Sequence, residues 1–126
     1  MLQHLLKACT LVALTIASCG LTWQSADAET LTFRIRSYYQ YRVQVEFYSQ
    51  SRRHAWPGGD QAYNLNDSRV HEYRLNCRSG EKICYGAWVT GNQNQYWGTG
   101  LRGNHSCRKC CFYCDGGITP IINLNN

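Results

Sequence analysis

Acidic residues, long apolar runs and helical periodicity are all scarce in this chain, and each shortage removes a class of protein. Eight Asp and Glu stand against 13 Lys and Arg in 126 residues, a formal charge of +5 with the histidines neutral. The few carboxylates show no spacing of a glycosidase pair, a Ser-His-Asp triad or an H-E-x-x-H zinc helix. His54, His71 and His105 therefore gain no catalytic role, the sequence leans away from an enzyme, with a small secreted hydrolase or toxin as an alternative reading, and no cofactor is implied. The apolar run of residues 8–18 is too short to cross a bilayer as a helix. It also lacks a polar face at helical spacing, which argues against a buried helix of a cytosolic protein. Beyond residue 28 no stretch carries a 3.6-residue apolar stripe, and helical architectures are excluded with it.

What is present begins with an export signal. Lys7 precedes the apolar run, and Ala26-Asp27-Ala28 matches the small-x-small pattern cut by a signal peptidase. Residues 1–28 are expected to be a signal peptide and residues 29–126 one domain, secreted or periplasmic. Ile16-Ala-Ser-Cys-Gly20 offers an alternative, a lipobox that would anchor the protein to the envelope through Cys19. Removing Lys7 and Asp27 with the leader leaves the charge at +5, and ten of the remaining cations are arginine. An arginine excess favours carboxylates, phosphates and sulfates as partners.

Six cysteines remain after the leader: Cys77, Cys84, Cys107, Cys110, Cys111 and Cys114. In a short exported chain an even number reads as up to three disulfides, and the sequence does not choose among 15 pairings. Adjacent Cys110 and Cys111 are expected to seek different partners, since a vicinal bridge is strained. The alternative is a zinc site built from Cys107, Cys110, Cys111 and Cys114 with His105, because two C-x-x-C units supply four thiolates. Thiol redox catalysis is a further option.

Strict alternation of apolar and polar residues marks strands at Leu31–Arg36, Arg42–Tyr48, Val70–Cys77 and Lys82–Val89. The first two are expected to form a hairpin. A second hairpin is expected about a two-residue Gly80-Glu81 turn, placing Cys77 opposite Cys84. Residues 49–68 read as a loop with one short strand around Ala62–Leu65, and residues 90–104 as a Gly/Asn-rich loop. Ile118–Leu124 reads as an edge strand able to hold Pro120. The fold class that follows is all-β, a small disulfide-stapled antiparallel sandwich or barrel-like domain. Gly98-Thr-Gly-Leu-Arg-Gly103 matches G-x-G-x-x-G, but no helix or downstream acid supports a dinucleotide site, and the glycines are expected to serve turns.

Aromatics beside cations and amides are the most suggestive functional feature. Arg52, Arg53, His54 and Trp56 form one such group, Tyr96-Trp97 among Asn and Gln another, and Tyr38, Tyr39 and Tyr41 beside Arg36 and Arg42 a third. Trp and Tyr flanked by guanidinium and amide groups stack on sugars or anchor proteins. The first two groups are the candidate binding surface for an anionic glycan, a lipid head group or a protein. Nucleic acid is not expected of an exported chain, and membrane contact only if Cys19 is lipidated. Tyr73–Trp88, Tyr96–Gly100 and Cys107–Gly117 together resemble small cysteine-rich exported bacterial proteins of unknown function. That resemblance covers less than half of residues 29–126 and implies a compact disulfide domain with no activity attached.

Overall fold

The computed structural model describes residues 28–125; the signal-peptide and lipobox segments lie outside the described residues. The described chain is all-β. Nine strands run β1 (Glu29–Ser37), β2 (Val43–Ser49), β3 (Ala55–Trp56), β4 (Tyr63–Leu65), β5 (His71–Cys77), β6 (Lys82–Val89), β7 (Asn92–Gly98), β8 (Cys111–Tyr113) and β9 (Ile118–Leu124). A single 3-10 turn, Leu101–Gly103, lies between β7 and β8. No helix among the described residues is long and apolar enough to cross a membrane.

The strands form two sheets. In the smaller, β1 lies between antiparallel β5 and parallel β9, in the order β5-β1-β9. In the larger the order is β3-β2-β6-β7, with β4 also on β2 and β8 also on β6. Alternation along β1 sends Leu31, Phe33 and Ile35 inward, and alternation along β2 does the same for Val43, Val45 and Phe47. The two apolar faces meet across the sandwich, with the rings of Phe33 and Phe47 4.4 Å apart. Leu65, Leu75, Ile83, Ala87 and Leu124 complete the core.

Both expected hairpins are replaced by crossings between sheets. β1 and β2 face each other through the core, because each has one apolar stripe and the pairing that buries both stripes is face to face. β5 and β6 likewise part company. Glu81 N–H donates to the Arg78 carbonyl (2.9 Å), which makes Ser79 and Gly80 the central residues of the turn. Gly80 supplies the positive φ of 79° that such a turn needs at its third position. The chain then leaves the small sheet for the large one, and Cys77 and Cys84 lie in different sheets.

Each of these cysteines instead bonds to the late cluster. Cys77–Cys114 ties β5 to the chain just past β8 and so joins the two sheets. Cys84–Cys111 joins facing residues of neighbouring strands β6 and β8. Cys107–Cys110 closes a short local loop. A staple across a loop of about 30 residues stabilises by roughly 3–4 kcal/mol in the chain-entropy description.

The expected short strand in residues 49–68 is β4, and β3 adds a second. Residues 90–104 carry a strand the composition hides: β7, rich in Asn and Gln, pairs with β6 through Ala87↔Trp97 and Trp88↔Tyr96. The expected edge strand is β9, with Pro120 in it.

The segment after β7 folds back over the outer face of the large sheet, and Gly86 on β6 makes room for it. A methyl group there would run into the Gly100 carbonyl oxygen and stand 2.8 Å from the Tyr48 ring. Gly86→Ala should therefore cost about 1–3 kcal/mol by overpacking, or more if the segment lifts away. Urea unfolding of the variant checks this, and an unchanged midpoint would mean that the segment does not rest on β6.

Candidate functional site

The outer face of the large sheet presents Gln44, Glu46 and Tyr48 from β2 and Lys82, Cys84, Gly86 and Trp88 from β6, the residues that alternate with the core positions. Residues 98–110 cross this face and are pinned at Tyr48. The Tyr48 hydroxyl accepts from Arg102 N–H (2.7 Å) and donates to the Gly100 carbonyl (3.2 Å). Burial, reinforced by the nearby Glu46 charge, pushes the Tyr48 phenol above its ordinary pKa, which keeps it a neutral donor. Beyond the 3-10 turn, His105 N–H donates to the Thr99 carbonyl (3.0 Å) and the His105 ring stacks on Tyr96, centroids 3.8 Å apart and 8° from parallel.

Two concavities flank the crossing segment. The larger is a groove of about 650 Å³ between the start of β6 and residues 103–108. Its chemistry is set by Lys82 and Arg108, with His105, Gln50, Asn104 and Ser106, and no carboxylate lines it. The two ion pairs among the described residues are Arg52–Glu81 and His71–Asp67, so Lys82 and Arg108 have no such partner there. The disulfide sulfurs' residues Cys84, Cys111 and Cys107 form part of the wall.

The smaller concavity, about 350 Å³, lies on the other side and includes Glu46, Asp60, Trp88 and Arg102. Partial burial, followed by the charge of Asp60, raises the Glu46 carboxyl above its ordinary value, while Arg102 acts in the opposite sense. Asp60 (φ 57°) and Arg102 (φ 58°) are the non-glycine residues of positive φ among the described residues, and both face this cleft. The two concavities thus differ in charge: one cationic, one a carboxylate pair tempered by an arginine.

The six candidate surface residues do not come together as one patch. Trp56 belongs to the core, 8% exposed, and its indole N–H donates to the Asn76 carbonyl (3.1 Å). His54 packs edge-on against it with centroids 4.5 Å apart. Arg52 lies 5.8 Å from the Trp56 ring centre and binds buried Glu81 through Nε (2.7 Å) and Nη2 (3.0 Å). Only Arg53 and His54 of this group are exposed. Tyr96 and Trp97 sit on β7, at the other end of the sheet order from Trp56 on β3. Trp97 donates to the Asn125 carbonyl (2.6 Å) and meets Tyr39 edge-on, which joins it to the tyrosine group after β1. Tyr96 alone reaches the groove, through His105.

The cysteine pairing lends the alternative zinc site no support. Cys107, Cys110, Cys111 and Cys114 are distributed over three disulfides, so their sulfurs are not free thiolates. Among the described residues no three His, Cys, Asp or Glu side chains surround a common point suited to an ion.

Lys82, Gln50, Asn104 and Arg108 were not distinguished by sequence. A partial signal was there: alternation places Lys82 and Cys84 on the face of β6 opposite the core, and Arg108 lies inside the cysteine block. What sequence lacks is the crossing segment that makes this face concave. No protein-family model, curated protein or solved structure matches the chain.

Arg52 and Glu81 generate a pH prediction. The Arg52 hydrogen bonds hold the Glu81 carboxyl down at about 2 against an ordinary 4.5, outweighing its desolvation, with Arg78 N–H and Ser49 Oγ assisting. A lowered folded-state pKa contributes stability that is fully present above 4.5 and is lost as pH falls toward 2. Chemical unfolding between these limits should show the protein weakening with acid, and Glu81→Gln should flatten that slope. Arg52→Ala should lower stability at neutral pH, because Glu81 loses its charged partner and keeps only the Ser49 and Arg78 hydrogen bonds. A flat profile in the parent protein would refute the assignment.

Proposed function

We propose that the protein is an exported binding module of the bacterial envelope or extracellular space, and that its cationic groove receives an acidic glycan. The observation that carries this reading is a concave site holding Lys82, Arg108 and His105 with no carboxylate in its lining. Two cations without acidic partners in one groove create a positive potential that attracts and orients an anion. Gln50, Asn104 and Ser106 add the amides and hydroxyl that pair with sugar hydroxyls, and the Tyr96 ring beside them is 39% exposed.

A glycan is favoured over a lipid because no aliphatic or aromatic side chain lines the groove to seat an acyl chain. It is favoured over a protein because protein interfaces centre on buried aromatic anchors, and Trp56 and Trp97 are already hydrogen-bonded within the fold. Three disulfides in so small a domain support export, since such bonds persist in oxidising compartments.

Calorimetric titration with uronic-acid and sulfated oligosaccharides, beside neutral ones, tests the reading. Binding should be confined to the acidic sugars and weaken as salt rises from about 50 to 200 mM. Lys82→Ala with Arg108→Ala should reduce affinity at least about tenfold, a loss near 1.4 kcal/mol, while Arg53→Ala changes little. Equal binding of neutral sugars, or capture by anionic vesicles in place of sugars, would reject the glycan.

A further inference from the structure

The three disulfides do different jobs. Cys77–Cys114 and Cys84–Cys111 span 37 and 27 residues; the first ties β5 to the chain just past β8 and the second joins β6 to β8 inside a paired ladder. Cys107–Cys110 spans three residues and connects no two elements. The chain-entropy gain of a cross-link falls with the length of the loop it closes, so this bond contributes least to the fold. Its reduction would break no covalent link between strands or between sheets.

Its two sulfurs also occupy different surroundings. Cys107 is half-buried and lines the cationic groove, whereas Cys110 is buried at 2% exposure and does not line it. The Cys110 carbonyl accepts the Tyr85 N–H (3.0 Å), which anchors that end of the loop to β6. Cys107 shares the groove lining with Lys82, Arg108 and His105, and also with Cys84 and Cys111, whose bond is held within the β6–β8 ladder whereas that of Cys107 is not. Cations in the groove attract an anionic thiolate to Cys107 and favour Cys107 as the thiolate released when the mixed disulfide is resolved.

We propose that Cys107–Cys110 is an exchange-active disulfide that oxidises small acidic thiols drawn into the groove. A substrate thiolate attacks Cys107 Sγ and the Cys107–Cys110 bond breaks. Its electron pair leaves on Cys110 Sγ, which takes a proton from water. A second substrate thiolate attacks the substrate sulfur of the mixed disulfide, forming the substrate disulfide and releasing Cys107 as a thiolate beside the cations. Two substrate thiols thus become one disulfide, and the protein accepts two electrons and ends with two reduced cysteines. The reaction is stoichiometric and requires no further oxidant. It uses the groove's charge but does not depend on a glycan binding there.

The test exposes the oxidised protein to graded thiol, traps free cysteines by alkylation and locates them by peptide mass. Cys107 and Cys110 should open together at thiol concentrations at least tenfold below those that open either long staple. At equal thiolate concentration, mercaptoacetate should react at least tenfold faster than cationic cysteamine. Lys82→Glu with Arg108→Glu should reverse that order, a result that a merely accessible disulfide would not produce. The Cys107→Ser, Cys110→Ser double variant should keep the circular dichroism of the parent and lose thiol oxidation. Simultaneous opening of all three bonds, or indifference to the charge of the thiol, would overturn the proposal. Absence of glycan binding with charge-selective exchange intact would reject only the glycan.

Discussion

Glu81 is the one buried carboxylate among the described residues, and four hydrogen bonds from three residues converge on it. Two come from the Arg52 guanidinium, one from Ser49 Oγ and one from Arg78 N–H. Its own main chain accepts from Cys114 N–H, beside the Cys77–Cys114 bridge. The turn that passes the chain between sheets, the loop after β2 and the chain beyond β8 are thus gathered at one charge. An unpaired carboxylate at this depth would be costly, so the arrangement is all-or-none. Gln50 and Lys82, which form one wall of the groove, are the immediate neighbours of this node: Gln50 N–H donates to the Lys82 carbonyl at 2.8 Å.

Alternation made individual strands legible and left their partners illegible. Leu31, Phe33 and Ile35 announce a half-buried strand with any neighbour, and a period of two says nothing about whether Phe47 lies beside Phe33 or across from it. The Gly80 turn shows the same gap. The turn lies at Gly80 as expected, but its central pair is Ser79-Gly80 and not Gly80-Glu81, and that one position's shift separates a hairpin from a crossing between sheets. β7 was hidden because Asn and Gln are poor strand formers, and its pairing with β6 outweighs that preference.

The site was less legible than the fold. Trp56 and Arg52 stand out in a sequence because they are large, charged or aromatic and lie in a polar stretch. Those same properties let them fill a corner of the core and neutralise Glu81. The groove, by contrast, is made of unremarkable side chains, Lys82, Gln50 and Asn104, that acquire meaning only when residues 98–110 are laid over β6. Gly86 permits that overlay, and its role is invisible until the Gly100 carbonyl is seen above it.

β1 sits between partners that are distant along the chain; the hydrogen bond from Arg34 N–H to Thr119 Oγ1 bridges 85 residues. Such wiring has a cost in time. The small sheet cannot close by zipping outward from a local turn, and loop closure must precede most of its reward, which places the domain among slow-folding topologies. While β1 waits for β9, its apolar face is unprotected and its outer edges are open to other chains. The two long staples, once formed, shorten that search by tying distant parts of the chain together.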